Sequence, residues 1–221
     1  GRGANEGFAE DYAALIAGLL DLFEASFEVR WLRWAEALQR AMDERFLDRT
    51  RGGYFQAAAG DASIVLRLKD DHDGAEPSAN SLAASNLLRL GGFLHEARWT
   101  EQGRSTLRAF QPIWSRSPSA LPAMLGALEH AVEPERQIVL VGDRESPDFR
   151  ALRAEVFAKP LRRRVLLGLT GAADETWLTE RTPALAAMRE RRGPATAYVC
   201  EGFTCDAPVT TPEALRSLLD R

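Results

Sequence analysis

Only two cysteines occur in 221 residues, so no disulfide framework holds this fold together. No apolar run approaches the ~20 residues a membrane-spanning helix needs. No signal-peptide pattern is visible either, and the chain reads as cytoplasmic, with no membrane partner. Neither sign of charge dominates: 28 basic against 32 acidic residues leave a net charge of −4. That balance offers no basic face for a phosphate backbone and argues against nucleic-acid coating. The arginine clusters at 162–164 and 189–192 read as solvated faces. A Gly-rich phosphate loop is missing after the apolar run ending at Val141, which leaves a nucleotide site without support. Two thiols alone do not complete a tetrahedral zinc site. The segment Asp71-x-Asp73-Gly74 opens like a calcium loop but lacks the bidentate glutamate that closes one. His95 and His130 sit at helix edges as surface or capping residues. No metal or cofactor is expected, and no internal repeat or low-complexity tract is present.

What is there is ordinary globular material, 45% apolar and 27% charged, enough for one sizeable core or two small domains. Phe8, Tyr12, Leu15, Ile16, Leu19 and Phe23 recur at helical spacing and predict a helix over 8–25. Trp31, Trp34, Leu38, Met42 and Phe46 predict a second over 29–46, and the short link between them makes an antiparallel hairpin. Turn chemistry at Gly52-Gly53, followed by Tyr54-Phe55-Gln56 and the apolar run 64–68, predicts a small β-hairpin over 53–68. Further helices are expected at 78–92, closed by Gly91-Gly92, at 95–114 and at 119–131. The pattern then changes. Apolar runs 137–141 and 164–169 flank a short helix, and the β-α-β order favours parallel neighbours. A helix over 183–192, a strand over 195–200 and a last helix opened by Thr211-Pro212 complete a small α/β region.

The densest chemistry lies on Lys69-Asp70-Asp71-His72-Asp73-Gly74-Ala75-Glu76-Pro77-Ser78-Ala79-Asn80-Ser81. Gly74 and Pro77 forbid a continuous helix through it. A turn this acidic must face water, an ion or a polar ligand, because unpaired carboxylates are costly to bury. Two readings follow. In one, Asp73 and Ser78 cap the next helix and the other acids are solvated. In the other, carboxylates and a histidine are placed for acid/base work on a sugar.

The motif Asp73-Gly74-Ala75-x-Pro77-Ser78-x-Asn80-Ser81, followed by Leu87-Leu88-Arg89-Leu90, resembles the thioredoxin-domain-containing proteins that include the spermatogenesis-associated thioredoxin-like proteins and their bacterial relatives. Glu10-Asp11-Tyr12-Ala13, Gly52-Gly53-Tyr54-Phe55 and the tail from Ala197 through Cys205-x-x-Pro208 agree, so the resemblance runs from about residue 8 to the C-terminus. Ala79 departs from it, at a position where the pattern favours Gly. The resemblance implies an N-terminal thioredoxin-like domain with a Cys-His-x-Cys-type motif, then an α-helical toroid of paired helices similar to six-hairpin glycosidases and sugar 2-epimerases. It brings no established reaction. This chain, which opens on Gly1 rather than Met, then reads as the C-terminal portion of such a protein. Its missing hairpins would lie upstream, and a hydrophobic flank should be exposed.

The expected fold is mainly α: a partial (α/α) toroid of helical hairpins over 1–133, then a small α/β subdomain over 136–221. The leading functional reading is a carbohydrate- or polar-ligand-binding module with glycosidase- or epimerase-like sugar processing. Asp73 and Glu76 form its acid/base pair, Asp70, Asp71 and His72 ring the pocket, and Asn80 donates hydrogen bonds. Asp11 faces them across the toroid, and Tyr12 and Tyr54 stack on a sugar. The ligand would be a small molecule of saccharide type, and the absent thioredoxin-like domain a partner. Cys200 and Cys205, spaced C-x4-C around Gly202, could pair, exchange with that domain, or remain reduced and buried. The alternative is a non-catalytic scaffold for a redox domain.

Overall fold

The computed structural model describes the whole chain except residues 1–6, 61–63, 160, 162–163, 172–174, 190–192 and 203. The described chain is mainly helical, with a small four-stranded sheet. It divides into two compact units, one of residues 1–21, 31–91 and 96–132, the other of residues 22–30, 92–95 and 133–221.

The first unit draws on α1 (Ala9–Ser26), α2 (Val29–Phe46), α3 (Ala79–Leu94), α4 (Ala97–Ala109), the single turn α5 (Gln111–Trp114), a 3-10 turn (Pro118–Ala120) and α6 (Pro122–Val132). Tyr12, near the start of α1, stacks edge-on against Phe46 at the end of α2 with ring centroids 5.4 Å apart. The two helices therefore run antiparallel, as their short link requires. Asn86 of α3 donates to the Ala13 carbonyl at 2.8 Å, and Arg89 pairs with Asp21 at 2.8 Å, joining α3 to α1. Ala84, Leu88, Leu107, Phe110, Leu121, Met124 and Ala127 form a buried cluster shared by α3, α4 and α6.

Three local expectations are corrected. The helix over 78–92 does not stop at Gly91-Gly92 but continues to Leu94. A side chain at Gly91 would strike Thr100, so this glycine serves close helix packing, while His95, at φ +53°, supplies the left-handed turn-off. The helix over 95–114 is two helices, α4 and α5, because Pro112 has no N–H to continue the ladder. The β-hairpin over 53–68 does not form: Tyr54 makes an isolated bridge to Leu47, and the described residues 64–68 are in no strand. A side-chain amide stands where a partner strand would lie. Asn80 Oδ1 accepts the Tyr54 N–H at 2.7 Å, and Asn80 Nδ2 donates to the Tyr54 carbonyl at 3.0 Å.

The second unit is built on β1 (Arg136–Val141), α7 (Pro147–Ala158), β2 (Arg164–Leu169), α8 (Thr176–Arg181), α9 (Pro183–Arg189), β3 (Thr196–Glu201), β4 (Thr204–Cys205) and α10 (Pro212–Leu219). The sheet order is β2-β1-β3-β4. β1 pairs parallel with β2 in register Arg136↔Arg164, which the β-α-β order predicts, and antiparallel with β3. Ile138, Leu140, Leu166, Ala197 and Val199 from the sheet meet Phe149, Leu152 and Val156 of α7 and Leu215 and Leu219 of α10 in one core. Ser146 caps α7, and Asp148 in its first turn accepts the Ala195 N–H at 2.7 Å, fixing the entry to β3. The sequence reading missed α8; its buried Glu175 accepts from the N–H groups of Thr170 and Gly171 and closes the turn after β2.

Candidate functional site

The acidic connection enters from a turn held by charge. Asp48 accepts the N–H groups of Thr50 and Arg51 at 2.9 and 3.0 Å and pairs with Lys69 Nζ at 2.8 Å. Burial pushes the Asp48 carboxyl up, but the Lys69 ammonium and the two backbone donors outweigh it and hold the pKa at about 2. Lys69 also donates to the Gly52 carbonyl at 2.5 Å, so one ammonium closes the loop over residues 48–52.

Asp73 is the buried centre of the connection, 8% exposed. Its Oδ1 accepts the Ser78 N–H at 2.8 Å and its Oδ2 accepts the Ala123 N–H at 2.9 Å. Ser78 precedes α3, and Ala123 lies in the first turn of α6. One carboxylate therefore joins the positive ends of two helices. Burial raises its pKa, but the donors from Ser78, Ser81 and Ala123 prevail and hold it below the usual carboxylate range. The Asp73 N–H donates to the Ala120 carbonyl at 2.7 Å, tying backbone as well as side chain. Ser78 Oγ accepts the Ser81 N–H at 3.2 Å as the cap of α3.

The other residues named from sequence fall into separate settings. Asn80 is fully buried; beyond its two bonds to Tyr54 it donates to the Asp70 carbonyl at 3.2 Å. Asp71, His72 and Glu76 are exposed. Asp11 accepts the Phe8 N–H at 2.8 Å, reaching back from the third position of α1 in the manner of a capping box. Tyr12 is half-buried beside Arg45, whose guanidinium lies 3.4 Å from its hydroxyl. Tyr54 is fully buried. Its hydroxyl donates to Asp43 Oδ1 at 2.7 Å and accepts from Gln39 at 3.0 Å and Gln102 at 2.6 Å. Burial and the Asp43 carboxylate raise its pKa well above 10. The structure thus brings Asp70, Asn80 and Tyr54 together through Asn80, and leaves Asp73 and Glu76 in unlike environments.

A cavity of about 250 Å³ lies beside Asp70. Phe8, Ile64, Leu66 and Leu68 supply its apolar wall, and Glu10, Gln56 and Asp70 its polar groups. Val65, Leu66, Leu68 and Phe8 are more than half exposed around it. Sequence reasoning did not single out Glu10 or Gln56, although Glu10 stands in the segment Glu10-Asp11-Tyr12-Ala13, because only the fold brings them beside Asp70. It also missed the Asp43–Gln39–Gln102 cluster. The i, i+4 spacing of Gln39 and Asp43 on α2 was its only trace.

In the second unit Cys200 and Cys205 are bonded to each other, which corrects the expectation of buried, reduced structural thiols. Cys200 is buried and Cys205 exposed. Among the described residues no group of three or more His, Cys, Asp or Glu could hold a metal ion, and no helix is long and apolar enough to cross a membrane.

No family model matches the sequence. The chain is similar to Spermatogenesis-associated protein 20. It is 46% identical to the Homo sapiens protein and 43% identical to the Mus musculus protein, each over 215 residues. An uncharacterized Caenorhabditis elegans protein is 34% identical over 214 residues. The matches to Spermatogenesis-associated protein 20 take in 96% of this chain but 27% of each relative, so the chain spans about a quarter of their length.

Proposed function

We propose that this chain is the C-terminal portion of a longer, cytoplasmic, thioredoxin-domain-containing protein. In this reading residues 1–133 form part of an (α/α) toroid and residues 136–221 an α/β subdomain, and the first unit supplies one wall of a binding site for a small polyhydroxylated ligand. The observation that carries the binding reading is the cavity of about 250 Å³ in which Asp70 and Glu10 stand at an apolar wall. Few polar groups on an apolar lining are what a small-molecule site offers, the wall excluding water and the carboxylates and Gln56 taking hydroxyl hydrogens. Asp71, His72 and Glu76, exposed on the same connection, are available to the rim. Proton transfer by an Asp73–Glu76 pair has less support, because both Asp73 oxygens accept backbone donors.

The test is a saccharide panel titrated into the longer protein and followed by thermal shift and calorimetry. Binding that raises Tm, and that Asp70→Asn or Glu10→Gln abolishes, is the expected result. A second reading, a scaffold for a redox domain, is favoured by the exposed apolar residues at the cavity rim. If no saccharide binds, and hydrogen exchange across residues 64–68 is protected in the longer protein but not in this chain, the scaffold reading replaces the first.

A further inference from the structure

Cys200 on β3 and Cys205 on β4 stand directly opposite each other in the antiparallel register. Their bridge spans a sequence separation of only 5, so it removes little chain entropy from the unfolded state. The chain beyond it is anchored without it. Ala197 and Val209 exchange both backbone bonds, at 2.7 and 3.0 Å, and Thr211 caps α10. Leu215, Leu218 and Leu219 enter the core, and Arg136 donates to the Leu219 carbonyl at 3.3 Å. β4 itself is an exposed edge strand of two residues. The disulfide therefore does not hold the unit together.

Its surroundings suit chemistry at sulfur. Cys205 is exposed and opens on a cavity of about 310 Å³ that Arg136 and Arg221 also line. Those guanidiniums pair with Glu201, at 3.5 Å, and Asp206, at 3.4 Å, which line the same cavity, so charges of both signs surround an incoming or departing thiolate. Cys200, on the inner strand, is 6% exposed and shielded from direct attack.

We propose that Cys200–Cys205 is a thiol–disulfide exchange site whose substrate is a dithiol. A thiolate of the dithiol attacks the sulfur of the exposed Cys205, forming a mixed disulfide and breaking the bond to Cys200, which leaves as a thiolate. The second thiol of the reductant then attacks its own sulfur in the mixed disulfide, displaces Cys205 as a thiolate and closes the reductant's disulfide. Two electrons pass from dithiol to protein, and the thiolates equilibrate with protons of solvent. β4 is freed while the core stays packed.

The air-oxidised chain is treated with dithiothreitol at neutral pH without denaturant, quenched with an alkylating agent and weighed by mass spectrometry, with circular dichroism in parallel. Two alkylated thiols appearing within minutes on a chain of unchanged ellipticity is the expected result. In the single variants, Cys205 left alone by Cys200→Ser forms a mixed disulfide with oxidised glutathione about tenfold faster than Cys200 left alone by Cys205→Ser. Thiols that become reducible only when the chain unfolds, or an air-oxidised chain that already carries free thiols, overturn the proposal on the unmodified protein. Equal reactivity of the two folded variants overturns the assignment of Cys205 as the attacked sulfur.

Discussion

Asp73 shows how much a single side chain can organise. Its two oxygens satisfy N–H groups at the starts of α3 and α6, 45 residues apart in sequence (78 to 123). Replacing it by Ala leaves the buried Ser78 N–H and the partly buried Ala123 N–H without this partner, and we expect a loss of about 2–3 kcal/mol in urea unfolding with little change in m-value. Asp48 and Asp73 have folded pKa values below their ordinary ones, Asp48 at about 2. Their stabilisation is therefore complete above pH ~4 and lost as pH falls through the folded values. Lys69→Met should flatten that acid limb and lower stability near neutrality by on the order of 1–2 kcal/mol, read from Tm against pH. Tyr54→Phe removes the hydroxyl between Asp43, Gln39 and Gln102 and should cost about 1–2 kcal/mol by the same urea assay. At this scale the capping of α3 by Ser78 and Asp73 was legible, because capping residues lie within a few positions of the helix they serve. The bond from Ala123 was not, since no local pattern points 50 residues ahead.

Elements were read well where periodicity is strong and poorly where a side chain replaces a backbone partner. α1 and α2 follow from their apolar spacing, and β1 and β2 from buried apolar runs joined by a helix. The expected hairpin over 53–68 is reduced to a single backbone bond, Gln56 N–H to the Leu68 carbonyl at 2.8 Å, because Asn80 takes both backbone groups of Tyr54. Glycines were ambiguous in the same way: Gly91-Gly92 reads as a stop signal, yet α3 runs through it to Leu94. In the second unit Phe27 sits in the link between α1 and α2 at φ +58° and packs edge-on to Phe149, with centroids 5.9 Å apart. A Cβ at Gly168 of β2 would lie only 2.3 Å from Phe27 Cγ. Gly168→Ala must displace that ring or the strand, and we expect a loss of about 2–3 kcal/mol and a matching fall in Tm. A Tm unchanged from wild type would show that the Phe27 ring is free to move.

For the whole molecule, the exposed apolar side chains around the first cavity are expected to promote self-association of the isolated chain. Val65 is fully exposed and Leu66 is 71% exposed. Leu66→Ser should reduce concentration-dependent association in sedimentation velocity and leave Tm nearly unchanged, because it uncovers no core. Composition and periodicity determined the helical first part, the α/β second part, the parallel β1–β2 pair and the absence of a long apolar span. These are local properties, carried by spacing over a few residues. Tertiary structure decided that Asp73 is a tie between helices, that Tyr54 is buried against the Asp43 carboxylate, that Glu10 and Asp70 share a cavity, and that an exposed Cys205 bonds to a buried Cys200. Each of those depends on which distant segments meet, and hydrogen-bond satisfaction between such segments leaves no periodic signature along the chain.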